Sequence, residues 1–141
     1  MASVLNPYLN FRGNAREAIE FYHSVFGGEL TVSSFQDLGA PDVAESERDL
    51  VMHAQLETPA GFMLMASDVP AHMDYATGAN QFSVSLSGAK SDETELRAYW
   101  EALSAGAAIG EPLATAPWGA TFGMLTDRFG IHWLINISAE G

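Results

Sequence analysis

The stretch from Tyr8 to Gly28, YLNFRGNAREAIEFYHSVFGG, holds a strand, a helix and the breaks that separate them. Val4 to Phe11 reads as a strand in spite of Pro7, which suits an edge or a strand start. Gly13-Asn14 breaks it. Ala15, Ala18, Ile19, Tyr22, Val25 and Phe26 then recur at spacings of three and four, the period of one helix face. The spacing predicts a helix over Ala15–Phe26, with Asn14 as N-cap and Glu17 as its capping-box partner. Gly27-Gly28 stops it, because glycine tolerates the left-handed turn at a helix end.

Outward from that unit, Leu30–Gln36 is rich in strand formers, and Asp37–Asp49 is a polar loop. Leu50–Thr58 alternates, Pro59-Ala60-Gly61 turns, and Phe62–Ala66 returns, which predicts a hairpin. Asp68–Asn80 has little periodicity and reads as a linker. The order then repeats. Gln81–Ser87 is a strand, and Ser91 or Asp92 caps a second helix over Asp92–Ala105. Its stripe is Leu96, Tyr99, Trp100 and Leu103, and Gly106 ends it. Ala107–Pro112 is a short strand, and Thr121–Thr126 with Ile131–Ile137 is a second hairpin. Tyr22 stands six residues before Gly28, and Trp100 six before Gly106. One strand–helix–strand unit used twice predicts an α+β chain of two βαβββ modules, about 1–77 and 78–141, in a single domain.

Alternation gives each strand two faces. Leu9 and Phe11 oppose Asn6, Tyr8 and Asn10. Leu50, Met52, Ala54 and Leu56 oppose Val51, His53, Gln55 and Glu57. Phe82, Val84 and Leu86 oppose Gln81, Ser83 and Ser85, and Trp133, Ile135 and Ile137 oppose His132, Leu134 and Asn136. The apolar lists must meet the helices. The other lists are mostly uncharged hydrogen-bonding groups, which suit a partly enclosed cavity that orients a ligand.

Composition limits the function classes. The chain has 141 residues, 48% of them hydrophobic, enough for one real core. Its net charge of −12 repels phosphate backbones and anionic lipid, so nucleic-acid and membrane partners are not expected. There is no cysteine, hence no disulfide, thiolate ligand or cysteine nucleophile. The cytoplasm is the expected compartment. No serine stands in a nucleophile-elbow pattern, and no phosphate loop is present.

Tyr8-Leu9-Asn10-Phe11 followed by Ala15-x-x-Ala18-Ile19-x-Phe21-Tyr22-x-x-Val25-Phe26-Gly27-Gly28 resembles the opening of the vicinal oxygen chelate superfamily. That superfamily includes glyoxalase I, bleomycin-resistance proteins and extradiol dioxygenases. Met52-His53-Ala54, Met63-Leu64-Met65-Ala66-Ser67-Asp68, Pro117-Trp118-Gly119 and the run from Phe122 to Trp133 are similar to its PhnB-like branch. The resemblance implies two βαβββ modules that curl into a cupped mixed sheet with helices outside, and a homodimer. It also implies a divalent metal held at positions corresponding to Asn6, Leu64 or Met65, Gln81 and Leu134. Leucine offers no donor and Asn6 and Gln81 are weak ones, so no cofactor is expected at these positions. Part of the branch is labelled for demethylubiquinone methyl transfer. This chain has no glycine-rich strand–helix loop followed by an acidic ribose ligand, and nothing in it supports that chemistry.

The expected function is therefore binding of a small organic molecule, with the standard metal site lost. The ligand-facing set is Tyr8, Asn10, His53, Gln55, Gln81, Ser83, Trp118, His132 and Asn136. His53 and His132 are the candidates for acid–base catalysis or for a rearranged metal centre, since histidine titrates near neutral pH. The rival readings are a metal-dependent lyase, isomerase or dioxygenase of the glyoxalase type, and an antibiotic-sequestering resistance protein. Asp68 and Asp127 read as strand-end turn caps, and Met52, Met63 and Met65 as core filler.

Overall fold

The computed structural model describes residues 4–39, 43–75 and 82–140. It divides into two units, Met1–Tyr75 and Ala76–Gly141. The first runs β1 (Tyr8–Phe11), α1 (Ala15–Phe26), β2 (Glu29–Ser34), β3 (Val51–Glu57) and β4 (Met63–Asp68), with a 3-10 turn at Glu45–Glu47. The second runs β5 (Val84–Gly88), α2 (Glu93–Leu103), β6 (Ala108–Thr115), β7 (Thr121–Thr126) and β8 (His132–Ile137). Each is βαβββ, as the repeat predicts.

The sheets share one topology. Their strand orders are β1-β4-β3-β2 and β5-β8-β7-β6. β1 runs parallel to β4 and β5 parallel to β8, while the remaining pairs are antiparallel. The first and last strands of a unit pair because the helix carries the chain over one face before the hairpin strands return.

That helix-covered face is the core of each unit. In the first, Leu9, Phe11, Val51, Ala54, Leu56, Leu64 and Ala66 are buried with Ala18, Ile19 and Tyr22 of α1. In the second, Leu86, Leu125, Trp133, Ile135 and Ile137 are buried with Leu96, Trp100 and Leu103 of α2. Gly123 makes room there: a Cβ on it would stand 2.9 Å from the Trp100 ring.

Several expectations need correction. Asn14 is the N-cap of α1 by position, but its side chain makes no cap hydrogen bond. Asp68, from the far end of the unit, accepts the Gly13 and Ala15 N–H groups on Oδ1 and the Val51 N–H on Oδ2. It is a buried staple between three segments, not a turn cap. Asp127 does cap its turn, accepting from Phe129 and Ile131, and it also takes the Trp133 indole N–H at 2.9 Å. Met52 was expected on the core face. Instead Ser33 pairs with His53 and Ser34 with Val51, so Met52 is the extra residue of a β-bulge. The bulge turns Val51 into the core and leaves Met52 38% exposed. Phe82, expected on the same face as Leu86, precedes β5 and is exposed. The segment after β4 is not a loose linker up to Tyr75. Arg12 donates to the carbonyls of Pro70 and Met73, and Tyr75 donates to that of Asn10. No helix among the described residues is long and apolar enough to cross a membrane.

Candidate functional site

The face of the first sheet away from α1 is built by register. Tyr8 pairs with Met65, Met65 with Gln55, and Gln55 with Thr31, so these four side chains form one row across the sheet. Asn10 pairs with Ser67, and His53 with Ser33. Met63 pairs with Glu57 and Glu57 with Glu29, completing a third row.

Tyr8 and His53 meet on this face. The Tyr8 hydroxyl stands 3.4 Å from His53 Nδ1, with ring centroids 6.0 Å apart and tilted by 42°. β4 lies between their strands, which places their backbones about 10 Å apart. The two rings therefore lean toward each other over β4. The phenol and imidazole both exchange donor and acceptor roles. Beside them, Gln55 Nε2 donates to Glu57 Oε1 at 3.0 Å.

The second unit presents a different face. His132, Leu134 and Asn136 of β8 line up with Thr126, Met124 and Phe122 of β7. Ser85 and Ser87 of β5 flank them, with their hydroxyls 3.2 Å apart. His132 Nδ1 lies 2.8 Å from the Thr126 hydroxyl. Phe122 is 40% and Met124 37% exposed, so this face has an apolar strip that a purely polar reading omits. Trp118 stands on the β6–β7 turn, closed by the Ala116 N–H to the Ala120 carbonyl, and is 79% exposed.

Of the sequence-derived set, Tyr8, Asn10, His53 and Gln55 share the first helix-free face, and His132 and Asn136 the second. Ser83 is exposed but lies just before β5. Gln81 lies outside the described residues. Alternation along β4 was the signal that would have added Met63, Met65 and Ser67, and along β7 that would have added Phe122, Met124 and Thr126. Met63 and Met65 are partly exposed on this face and are not core filler.

The metal positions implied by the resemblance can be tested for fit. Leu64 is buried on the helix-covered face, so Met65 is the β4 residue that faces away from α1. Met65 and Leu134 carry no hard donor atom. The Asn6 side-chain amide donates to the Pro7 carbonyl at 3.1 Å. No group of three or more His, Asp or Glu among the described residues is placed to hold a metal ion. Two of the four positions thus offer no hard donor to a divalent ion, and a third, Gln81, lies outside the described residues.

Residues 3–136 match the family described as 3-demethylubiquinone-9 3-methyltransferase. The chain is a PhnB-like member of the vicinal oxygen chelate superfamily. It is 35% identical to protein PA1353 of Pseudomonas aeruginosa, covering 97% of this chain and 98% of that one, with a TM-score of 0.79. A Bacillus cereus PhnB protein, described as a putative 3-demethylubiquinone-9 3-methyltransferase, is 23% identical over 96% of this chain and 100% of its own, with a TM-score of 0.72. A glyoxylase/bleomycin resistance protein/dioxygenase domain from Frankia shares the fold at 18% identity and a TM-score of 0.65, covering 100% of this chain and 95% of its own. The PhnB-like chain thus has the βαβββ units of the glyoxalase/bleomycin-resistance fold.

Proposed function

We propose that this PhnB-like protein binds a small organic molecule on the helix-free face of its first sheet, without a divalent metal at the superfamily's usual positions. The observation that carries this reading is the Tyr8–His53 pair reaching over β4. Two amphipathic rings with Asn10, Gln55 and Ser67 beside them and Met65 beneath offer both hydrogen bonds and an apolar bed, the composition of a ligand site. The chain works as a cytoplasmic homodimer in this reading. The exposed Trp118, Phe122 and Met124 support the dimer, since large exposed apolar side chains in one region favour association. Methyl transfer has no support in the residues present.

The test pairs metal titration with a ligand screen. Elemental analysis after purification without chelators should find no stoichiometric zinc, nickel or manganese. A screen of small aromatic and amide compounds by NMR should shift the His53 ring and Met65 methyl resonances. Stoichiometric metal at Asn6 and Gln81, or bound through His53 or His132, would return the metal-dependent enzyme to first place. Light scattering that gives a monomer at micromolar concentration would remove the dimer.

A further inference from the structure

The first unit has three arginines and no lysine, and none of the arginines lies in a strand. Arg12 follows β1 and donates to the Pro70 and Met73 carbonyls. Its guanidinium also lies 5.1 Å from the centre of the Tyr75 ring. Arg16 is exposed on α1, and Arg48 follows the 3-10 turn. Apart from His53, then, the four strands of this sheet bring no basic side chain to its helix-free face.

It does carry negative charge. Glu29 and Glu57 are directly opposite each other on β2 and β3, and both are exposed. Like charges directly opposite in an antiparallel pair repel. Gln55 engages Glu57, but no basic strand residue offsets the pair. Met63 is the other cross-strand neighbour of Glu57, and Met65 lies between Gln55 and Tyr8. Thioethers are soft and polarizable, and an aromatic face attracts cations. An anion on this face would meet two carboxylates, and none of the strands that build it supplies an arginine or lysine to receive it.

From this arrangement we infer that the ligand is an organic cation: a protonated or quaternary amine on an apolar, ring-bearing body. The ammonium lies toward Glu57 and Glu29. The body runs along Met63 and Met65 to the Tyr8 and His53 rings. This inference rests on the small-molecule reading above and names the class of molecule.

Three probes of matched shape separate the two claims: 2-phenylethyl-trimethylammonium, 2-phenylethanol and 3-phenylpropionate. Each is titrated into the full chain while the Met63 and Met65 methyl resonances are followed. The cation should bind about fivefold more tightly than the alcohol, the scale of an exposed charge pair, and the carboxylate most weakly. Added salt should narrow the gap. The Glu29→Gln, Glu57→Gln double variant should keep its folded spectrum and bind cation and alcohol alike. Equal binding of cation and alcohol by the parent chain, or a preference for the carboxylate, would overturn the cation inference and leave the small-molecule reading standing. Silence of both methyls with all three probes would overturn both.

Discussion

The Tyr8 hydroxyl lies 3.4 Å from His53 Nδ1, although the strands that carry them are not neighbours. Each residue is 45 positions from the other, and neither is fixed by local sequence. Tyr8→Phe keeps the ring and removes the hydroxyl. Tyr8 is 46% exposed, so unfolding free energy should change by less than ~0.5 kcal/mol. The His53 ring resonances should move, and affinity for a ligand found in the screen should fall about fivefold, the worth of one hydrogen bond. Unchanged His53 resonances would show that the pair does not form in solution.

How much of this was legible follows from range. The helix Ala15–Phe26 was readable to the residue, because its apolar period and both glycine stops are local. The repeat was readable because Tyr22 and Trp100, each six residues before a glycine, are both buried. Met52 was misplaced because a bulge shifts alternation by one residue, and no residue near it announces the shift. Asn14 looked like a cap because capping rules are local, while the acceptor that serves the helix is Asp68, 53 residues from Ala15. For the same reason alternation placed Tyr8 and His53 on ligand-facing lists but could not show that they touch.

Asp68 is 2% exposed and accepts three backbone N–H groups from two segments. Asp68→Asn keeps one acceptor oxygen and turns an amide donor toward a backbone donor. Urea unfolding should show a loss of about 2–4 kcal/mol. Hydrogen exchange should rise first at Gly13, Ala15 and Val51. An unchanged midpoint would mean that the carboxylate does not join these segments.

Tyr99 gives a pH prediction. Burial, and then the Glu95 carboxylate that accepts its hydroxyl proton at 2.5 Å, push the Tyr99 hydroxyl up to about 12. The fold therefore favours the neutral phenol. Its contribution to stability is fully present below the ordinary tyrosine value of about 10 and is lost as pH rises through the folded value. Tyrosinate absorbance should show a titration near 12 that Tyr99→Phe removes. Glu95→Gln should bring that titration down toward the ordinary range. A Tyr99 titration that Glu95→Gln leaves in place would show that the Glu95 contact is not formed.

Gly28 and Gly13 separate two costs that glycine substitutions usually mix. Both have left-handed backbones, with φ of +98° and +95°. A Cβ on Gly13 would meet nothing within 4 Å. A Cβ on Gly28 would stand 2.1 Å from the Glu57 carbonyl oxygen and 2.7 Å from the Thr58 Cα. Gly13→Ala should therefore cost only the backbone strain, about 1 kcal/mol. Gly28→Ala adds a clash with main-chain atoms, which cannot rotate away as a side chain can. The β2–β3 register must then give, at about 2 kcal/mol more. Because Glu57 is the residue displaced, Gly28→Ala should also perturb the Met63 methyl resonance on the helix-free face, and Gly13→Ala should not. Equal losses of stability in the two variants would show that the close approach of Gly28 to Glu57 is absent.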